Sequence, residues 1–226
     1  KIVKILVCIV ILLVVLAVLS HLYRYLFNHG EERYLTQMFD MDVENNIPSW
    51  VSSLSLLLCS TLLFIISVAK RKLNDQFFFN WAFLSFLFIL MSTDEMIQLH
   101  EQIISPLRNL FHTGGFFYFA WVIPAVIFGI IFLLMYLKFL FSLDSKTRIL
   151  FILSGIVYGI GAVGFEMIGG EFVFEFGNNN LFYSLLTTVE ETIELSGIIL
   201  FVYTLLNYLS TQLSEIRISF SNKSEA

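Results

Sequence analysis

Residues 92–101 read Ser-Thr-Asp-Glu-Met-Ile-Gln-Leu-His-Glu and close a long apolar run. On an α-helix, offsets of four and seven residues place Asp94, Gln98 and Glu101 on one face, with Glu95 beside them. Acidic side chains inside a membrane-grade helix are costly and usually mark a functional site. We therefore expect the rest of the chain to be arranged around these carboxylates.

The overall composition is that of a membrane protein. Of the 226 residues, 58% are hydrophobic and 25 are Phe, and the mean hydropathy is +0.82. Long apolar runs with few charges predict transmembrane helices, so the expected fold is an all-α, polytopic membrane helix bundle embedded in a lipid bilayer. No basic patch, zinc-finger spacing or phosphate-binding glycine loop indicates nucleic-acid binding. Cys8 and Cys59 lie in apolar runs and are expected to be small buried hydrophobes.

The apolar runs predict six transmembrane helices. Their expected bounds are 2–27, 50–69, 77–102, 116–141, 149–169 and 181–209. Pro106 is expected to end any helix that follows the third span. The six spans form one predicted domain over 1–210, followed by a short cytoplasmic tail over 211–226.

The distribution of charge predicts an orientation. With both termini cytoplasmic, 10 of the 13 Lys and Arg residues lie on the inner side and 14 of the 18 acids in the outer half. This is the arrangement that the positive-inside rule describes. Loop acids on the outer side follow from topology alone, whereas acids within the spans require another explanation.

Seven acids fall within three of the predicted spans, the third, the fifth and the sixth. They are Asp94, Glu95 and Glu101, then Glu166, then Glu190, Glu191 and Glu194. On the fifth span, Glu166 shares a predicted stripe with Gly155 and Gly159, and this small-xxx-small spacing allows a neighbouring backbone to approach. We expect Glu166 to point into the bundle and the three helices to bring their acids together near the outer face.

So many carboxylates in a low-dielectric site must be protonated or neutralised by a cation. Carboxylates alone suit Mg²⁺ or Mn²⁺, and an added imidazole shifts the preference to Zn²⁺ or Fe²⁺. The predicted cofactor is such a divalent metal ion. The predicted metal ligands are Asp94, Glu101, Glu166 and Glu190, and the predicted catalytic residues are Glu95, His100 and Glu194. No substrate-binding residue is predicted.

The position of His100 raises a geometric difficulty. On a regular helix, its side chain projects about 120° or more from those of Asp94 and Glu95. Either the helix unwinds near Leu99, or His100 has a separate role. His21 and His112 are the histidines that would join it around a Zn²⁺ ion that activates water.

Several functions fit these residues. The first hypothesis is a metal-dependent membrane enzyme that acts on a lipid or a small apolar substrate. The second is a proton- or cation-coupled transporter or channel, which predicts a polar path to the inner side, where Thr204 and Asn207 are the candidates. The third is an accessory subunit, which predicts acids spread over one exposed surface. The simplest alternative is that the acids only line a water-filled vestibule.

Three spaced patterns carry a resemblance. They are Glu-x-Asn-x-Pro-Ser-Trp over 44–50, Ser-x-Asp-Glu-x-x-x-x-His-Glu over 92–101 and Glu-Glu-x-x-Glu over 190–194. Together they resemble a pattern found in uncharacterised bacterial six-span membrane proteins, over most of the chain. The resemblance implies a bacterial inner membrane and attaches no activity.

Overall fold

A computed structural model describes residues 1–27, 36–43 and 45–212. These form seven helices: α1 Ile2–Phe27, α2 Ile47–Lys72, α3 Phe78–Ile97, α4 Leu99–Phe111, α5 Val122–Ser142, α6 Ser145–Phe176 and α7 Leu181–Gln212. Most of the predicted tail, residues 213–226, lies outside the described residues, as do Glu44 and residues 28–35 of the first loop. The all-α prediction is confirmed.

Among the described residues, five helices are long and apolar enough to cross a membrane: α1, α2, α5, α6 and α7. The sixth candidate span is α3 together with α4, and these two helices are bent by 79° relative to each other. The protein is therefore a multi-pass membrane protein, with five to six candidate spans in the part of the chain that the structure describes. We call one end of the bundle the acidic end: α1, α3 and α6 end there, and α2, α5 and α7 begin there. The opposite end is called the basic end.

The predicted third span, 77–102, is wrong beyond Ile97. Gln98 adopts a left-handed conformation with φ 57°, and the helix restarts at Leu99 in a new direction. The Gln102 side chain donates a hydrogen bond to the Ile97 carbonyl, which the break removes from the helical pattern. Pro106 does not end this second helix, because it lies inside α4, which continues to Phe111. The helix therefore unwinds at Gln98, one residue before Leu99, as the first of the two alternatives for His100 predicted.

Serine pairs join α2 and α3. The Ser53 hydroxyl donates to the Ser92 carbonyl at 2.8 Å, and the Ser92 hydroxyl donates back to the Ser53 carbonyl at 2.9 Å. Ser60 and Ser85 repeat this reciprocal arrangement about two helical turns closer to the basic end. Small hydroxylated residues let two helices approach closely and supply hydrogen bonds in an apolar medium. The register of α3, and hence of its acids, is fixed by these pairs.

An apolar core fills the bundle between the serine pairs and the basic end. Trp81 of α3 is almost fully buried and packs edge-on against Phe139 of α5. Leu63 of α2 and Val202 and Leu205 of α7 are also fully buried in this cluster. The acidic end is consequently backed by a layer of close-packed hydrophobic side chains.

A π-helical turn over Ile160–Phe165 interrupts α6. A π turn adds a residue to the helix, so the face presented after it is rotated relative to the face before it. The predicted close-packing stripe at Gly155 and Gly159 is wrong, because no atom lies within 4 Å of a Cβ built at either position. The close approach to α7 is made by Gly161 instead, inside the π turn.

Candidate functional site

The break at Gln98 brings His100 next to Asp94. One Asp94 oxygen accepts a hydrogen bond from the His100 backbone N–H at 3.0 Å, and the other lies 2.7 Å from Nδ1 of the His100 ring. Since an ionised carboxylate only accepts, Nδ1 carries the proton and Nε2 is the basic nitrogen. Both side chains are half-buried. The two residues form an oriented carboxylate–imidazole pair that a continuous helix would not allow.

Glu166 points into the bundle, as predicted, although the glycine stripe used to predict it does not form the contact. Its Oε1 accepts a hydrogen bond from Nε1 of Trp121 at 2.8 Å. The Trp121 ring lies 5.0 Å from the His100 ring, measured between centroids. Trp121 therefore connects the acid of α6 to the histidine of α4.

The acids of α7 meet those of α6 and α3. Glu190 is buried and within hydrogen-bonding reach of Glu166. Glu194 lies near Glu95 of α3, and the Tyr158 hydroxyl is placed to donate to it. The three predicted helices are thus brought together at the acidic end.

Gly161 and Gly197 allow this meeting of α6 and α7. A Cβ at Gly161 would lie 2.5 Å from Cγ of Glu194 and 3.1 Å from the Glu190 carbonyl. A Cβ at Gly197 would lie 2.7 Å from the Tyr158 backbone nitrogen. The absence of both side chains therefore sets the separation of the helices that carry Tyr158 and Glu194.

Glu95 and Glu101 complete the cluster on the side of α3 and α4. The buried Ser52 hydroxyl of α2 is placed to donate to Glu95, which is close to both Asp94 and His100. Glu101 is more exposed but interacts electrostatically with His100. All seven predicted catalytic and metal-ligand residues consequently belong to one cluster.

A segment before α2 adds a seventh carboxylate. The side chain of Asp42 is solvent-exposed at the edge of the cluster, although many protein atoms lie around its carboxyl group. The Tyr183 hydroxyl is placed to donate a hydrogen bond to it. Desolvation, and after it the charge of Asp40, raises the pKa of Asp42 to about 7. The more distant charges of Glu101 and Glu166 act in the same direction. The site therefore contains a carboxyl group that titrates near neutral pH.

The Asn-x-Pro-Ser-Trp pattern has a structural role at this point. Asn46 and Ser49 form a reciprocal capping box at the start of α2, with Pro48 in the first turn. The Asn46 amide also donates to the carbonyl of Gln37 at 3.0 Å. Asn46 thereby ties the 36–43 segment, which carries Asp42, to the end of α2.

The predicted grouping of three histidines around one metal ion is not found. His112 follows the last residue of α4, so the length of the helix separates it from His100 by about 18 Å. His21 is fully buried, and its Nε2 lies 3.7 Å from Asp40. Within residues 1–27, 36–43 and 45–212, no three His, Cys, Asp or Glu residues are arranged to hold a metal ion.

Residues 6–209 match a family described as Domain of unknown function (DUF8692). The chain belongs to this DUF8692 family. No curated protein and no solved structure matches it. The family match covers every residue of the acidic cluster and attaches no chemistry to them.

Three members of the cluster were not anticipated from the sequence: Asp42, Trp121 and Tyr158. Trp121 falls inside the predicted fourth span, whereas α5 begins only at Val122 and leaves the indole at the mouth of the site. Tyr158 precedes the π turn, which no hydropathy pattern indicates. Asp42 stands in a polar loop, and only Asn46, a helix-capping residue type two residues before Pro48, signalled an ordered segment.

The cluster is closed toward the basic end of the DUF8692 bundle. Below Glu194, α7 contributes fully buried Val202 and Leu205 to the apolar core. The Thr204 hydroxyl bonds to the carbonyl of Leu200 in its own helix, and Asn207 pairs with Lys146 at the far end. The polar residues that a through-path would use are thus engaged locally, and packed side chains lie between them and the acids.

Proposed function

We propose that this DUF8692 chain is a membrane-embedded hydrolase that uses acid–base chemistry at the acidic end. Its substrate is a lipid or another apolar molecule with an ester or amide bond. The observation that carries the proposal is the Asp94–His100 pair, built by a helix break beside Glu95 and Glu194. Glu95, His100 and Glu194 are the proposed catalytic residues.

The pair assigns a direction to proton transfer. Asp94 holds the Nδ1 proton of His100, so Nε2 takes a proton from a water molecule and the oxygen of that water adds to the carbonyl carbon. The carbon–oxygen or carbon–nitrogen bond to the leaving group then breaks, and His100 returns the proton to that group. Glu95 and Glu194 stabilise the positive charge that the imidazole carries between these steps.

A divalent metal ion remains part of the proposal as a second form of the same site. Asp94, Glu101, Glu166 and Glu190 would be its ligands once their side chains moved closer together, because no three acids of the described residues are arranged to hold an ion as they stand. Oxygen ligands of this kind suit Mg²⁺ or Mn²⁺, with Zn²⁺ or Fe²⁺ favoured if His100 joined them. A bound ion would supply charge stabilisation and a more acidic water.

The packed apolar side chains between the acids and the basic end favour an enzyme over a transporter. A relay of protons or cations needs polar groups across the whole bilayer. Here the acids are backed by the apolar core around Trp81, and the inward polar residues Thr204 and Asn207 bond elsewhere. The acids also converge between helices, whereas an accessory subunit would present them on one exposed surface.

The charge of the site constrains the substrate. The cluster holds seven carboxyl groups and one imidazole, and Arg108, a base in the last turn of α4, hydrogen-bonds to the Tyr118 carbonyl. Like charges raise the cost of bringing an anionic group into such a site. We therefore propose a neutral or cationic substrate. We also place the protein in a bacterial inner membrane with both termini cytoplasmic, on the basis of its charge distribution and resemblance.

The experiment is hydrolysis by purified protein in vesicles that contain neutral, cationic or anionic lipids, with products followed by mass spectrometry. We expect turnover of a neutral or cationic lipid. His100→Gln and Glu194→Gln should each lower the rate about 10²- to 10⁴-fold. Glu175→Gln, at an exposed acid of α6 outside the cluster, is the matched control and should leave the rate unchanged.

Elemental analysis of the same preparations decides the role of a metal. A stoichiometric divalent ion that is lost in Glu190→Gln would favour the metal-dependent form. No turnover of any lipid class, together with proton flux that depends on Glu194, would overturn the hydrolase in favour of a transporter.

A further inference from the structure

Helix α4 is amphipathic and has no buried residue. At 100° per residue, Leu99, Ile103 and Leu110 fall within an arc of about 40°. Their side chains are 51%, 44% and 68% exposed, which is unusual for three large apolar residues on one face of a short helix. This face is not covered by any described part of the chain.

A second side of α4, centred about 110° around the helix from the apolar arc, is polar and also open. Gln102, Ser105 and Asn109 fall within about 60° of one another and are all exposed. A helix with one apolar and one polar face, both uncovered, is suited to a boundary between hydrocarbon and water. Neither face alone would distinguish such a helix from one in solvent.

The length and direction of α4 define that boundary. Helix α3 has 20 residues, or about 30 Å, a length that matches the thickness of the hydrocarbon core. Helix α4 has 13 residues, or about 20 Å, and is too short to cross it. The 79° bend at Gln98 turns α4 away from the direction of α3 and toward the membrane plane.

The far end of α4 is held in this direction. Nε of Arg108 donates to the Tyr118 carbonyl at 2.8 Å, and its guanidinium lies 3.6 Å from the centroid of the Tyr118 ring. The contact joins the last turn of α4 to the chain that leads into α5. The helix is therefore braced at both ends.

We infer that α4 lies in the membrane interface at the acidic end, with Leu99, Ile103 and Leu110 inserted among the lipids. Its occupant is the bilayer that surrounds the spans, because the exposed apolar surface of α3, at Phe86 and Ile97, continues into Leu99. This inference does not depend on the hydrolase proposal. It places His100, in the first turn of α4, at the depth of the lipid headgroups.

The test is spin-label depth measurement in phosphatidylcholine vesicles. Labels are attached to single cysteines at Ile103 or Leu110 on the apolar face and at Gln102 or Asn109 on the polar face. The background is Cys8→Ser, which removes the exposed thiol and leaves the buried Cys59 unlabelled. Collisions with oxygen and with a water-soluble nickel chelate report the depth of each label.

We expect the labels at 103 and 110 to favour oxygen and to lie at nearly equal depths, about 5–10 Å below the headgroup boundary. The labels at 102 and 109 should favour the nickel chelate. If α4 continued a span or formed a re-entrant loop, positions 103 and 110 would differ in depth by about 10 Å. That difference, or equal exposure of both faces to the chelate, would overturn the inference.

Discussion

The separation between α6 and α7 depends on Gly197, and Gly197→Ala tests this directly. A Cβ at position 197 would lie 2.7 Å from the backbone nitrogen and 2.9 Å from Cα of Tyr158. Because these atoms belong to the backbone, no side-chain rotation relieves the contact. The two helices must separate by about 0.7 Å to bring 2.7 Å to 3.4 Å, at which ordinary contact begins.

The expected magnitude follows from a comparison with Gly155→Ala. Replacing Gly by Ala within a helix gains roughly 0.5–1 kcal/mol at either position. At Gly155 a Cβ meets nothing within 4 Å, so only this gain applies. At Gly197 overpacking costs about 1–3 kcal/mol. We therefore expect Gly197→Ala to be less stable than Gly155→Ala by about 1–3 kcal/mol.

Unfolding free energies from SDS titration in mixed micelles, followed by far-UV circular dichroism, measure this difference. A second readout is the rate at which a thiol reagent reaches buried Cys59 in a Cys8→Ser background, which should rise in Gly197→Ala alone. Equal stabilities for the two alanine variants, within about 0.5 kcal/mol, would show that α6 and α7 are not in close contact at Tyr158.

Further predictions concern pH and the serine pairs. Because the pKa of Asp42 is raised to about 7, the folded state binds its proton more tightly, and stability should fall as pH rises from about 4 to 7; Asp42→Asn should remove this fall in a pH series of melting temperatures. Asp75 has the opposite sign: burial alone would raise its pKa, but hydrogen bonds from Lys70 and the Phe77 N–H lower it, so its contribution should be lost below about pH 4 and be absent from Asp75→Asn. A double-mutant cycle of Ser53→Ala and Ser92→Ala should give a coupling of about 0.6 kcal/mol and at most about 1.7. A coupling near zero would mean that these hydroxyls do not join α2 to α3.

The number and approximate position of the helices could be predicted from the sequence because long apolar runs determine both. Interruptions of a helix inside such a run could not be predicted from the sequence. Gln98 is an ordinary residue for a helix interior, and its left-handed conformation is stabilised by contacts from Asp94 and Gln102 that form only after the chain has turned. The π turn of α6 could not be predicted either, because Gly155 and Gly159, just before it, have the spacing of a regular helix-packing stripe.

The convergence of the acids was predictable because charged groups in a bilayer must face one another. The reasoning for Glu166 was nevertheless wrong in its details. Gly155 and Gly159 make no close contact, and Glu166 is directed inward by the π turn and by Trp121. The predicted convergence of the acids depends only on the cost of placing charged groups in lipid, so it holds even where the helix register is wrong. The predicted glycine contact depended on helical angles and was wrong.

The break at Gln98 connects the fold to the proposed chemistry. A left-handed residue other than Gly costs about 1–2 kcal/mol, and a break also releases helical hydrogen bonds. Asp94 offsets part of this cost by accepting the His100 backbone N–H, and the same carboxylate then holds the His100 ring. A carboxylate that only capped a new helix would need the backbone contact alone. The second contact, at 2.7 Å to Nδ1, orients an imidazole toward other carboxylates, and strain of this kind is concentrated at functional sites.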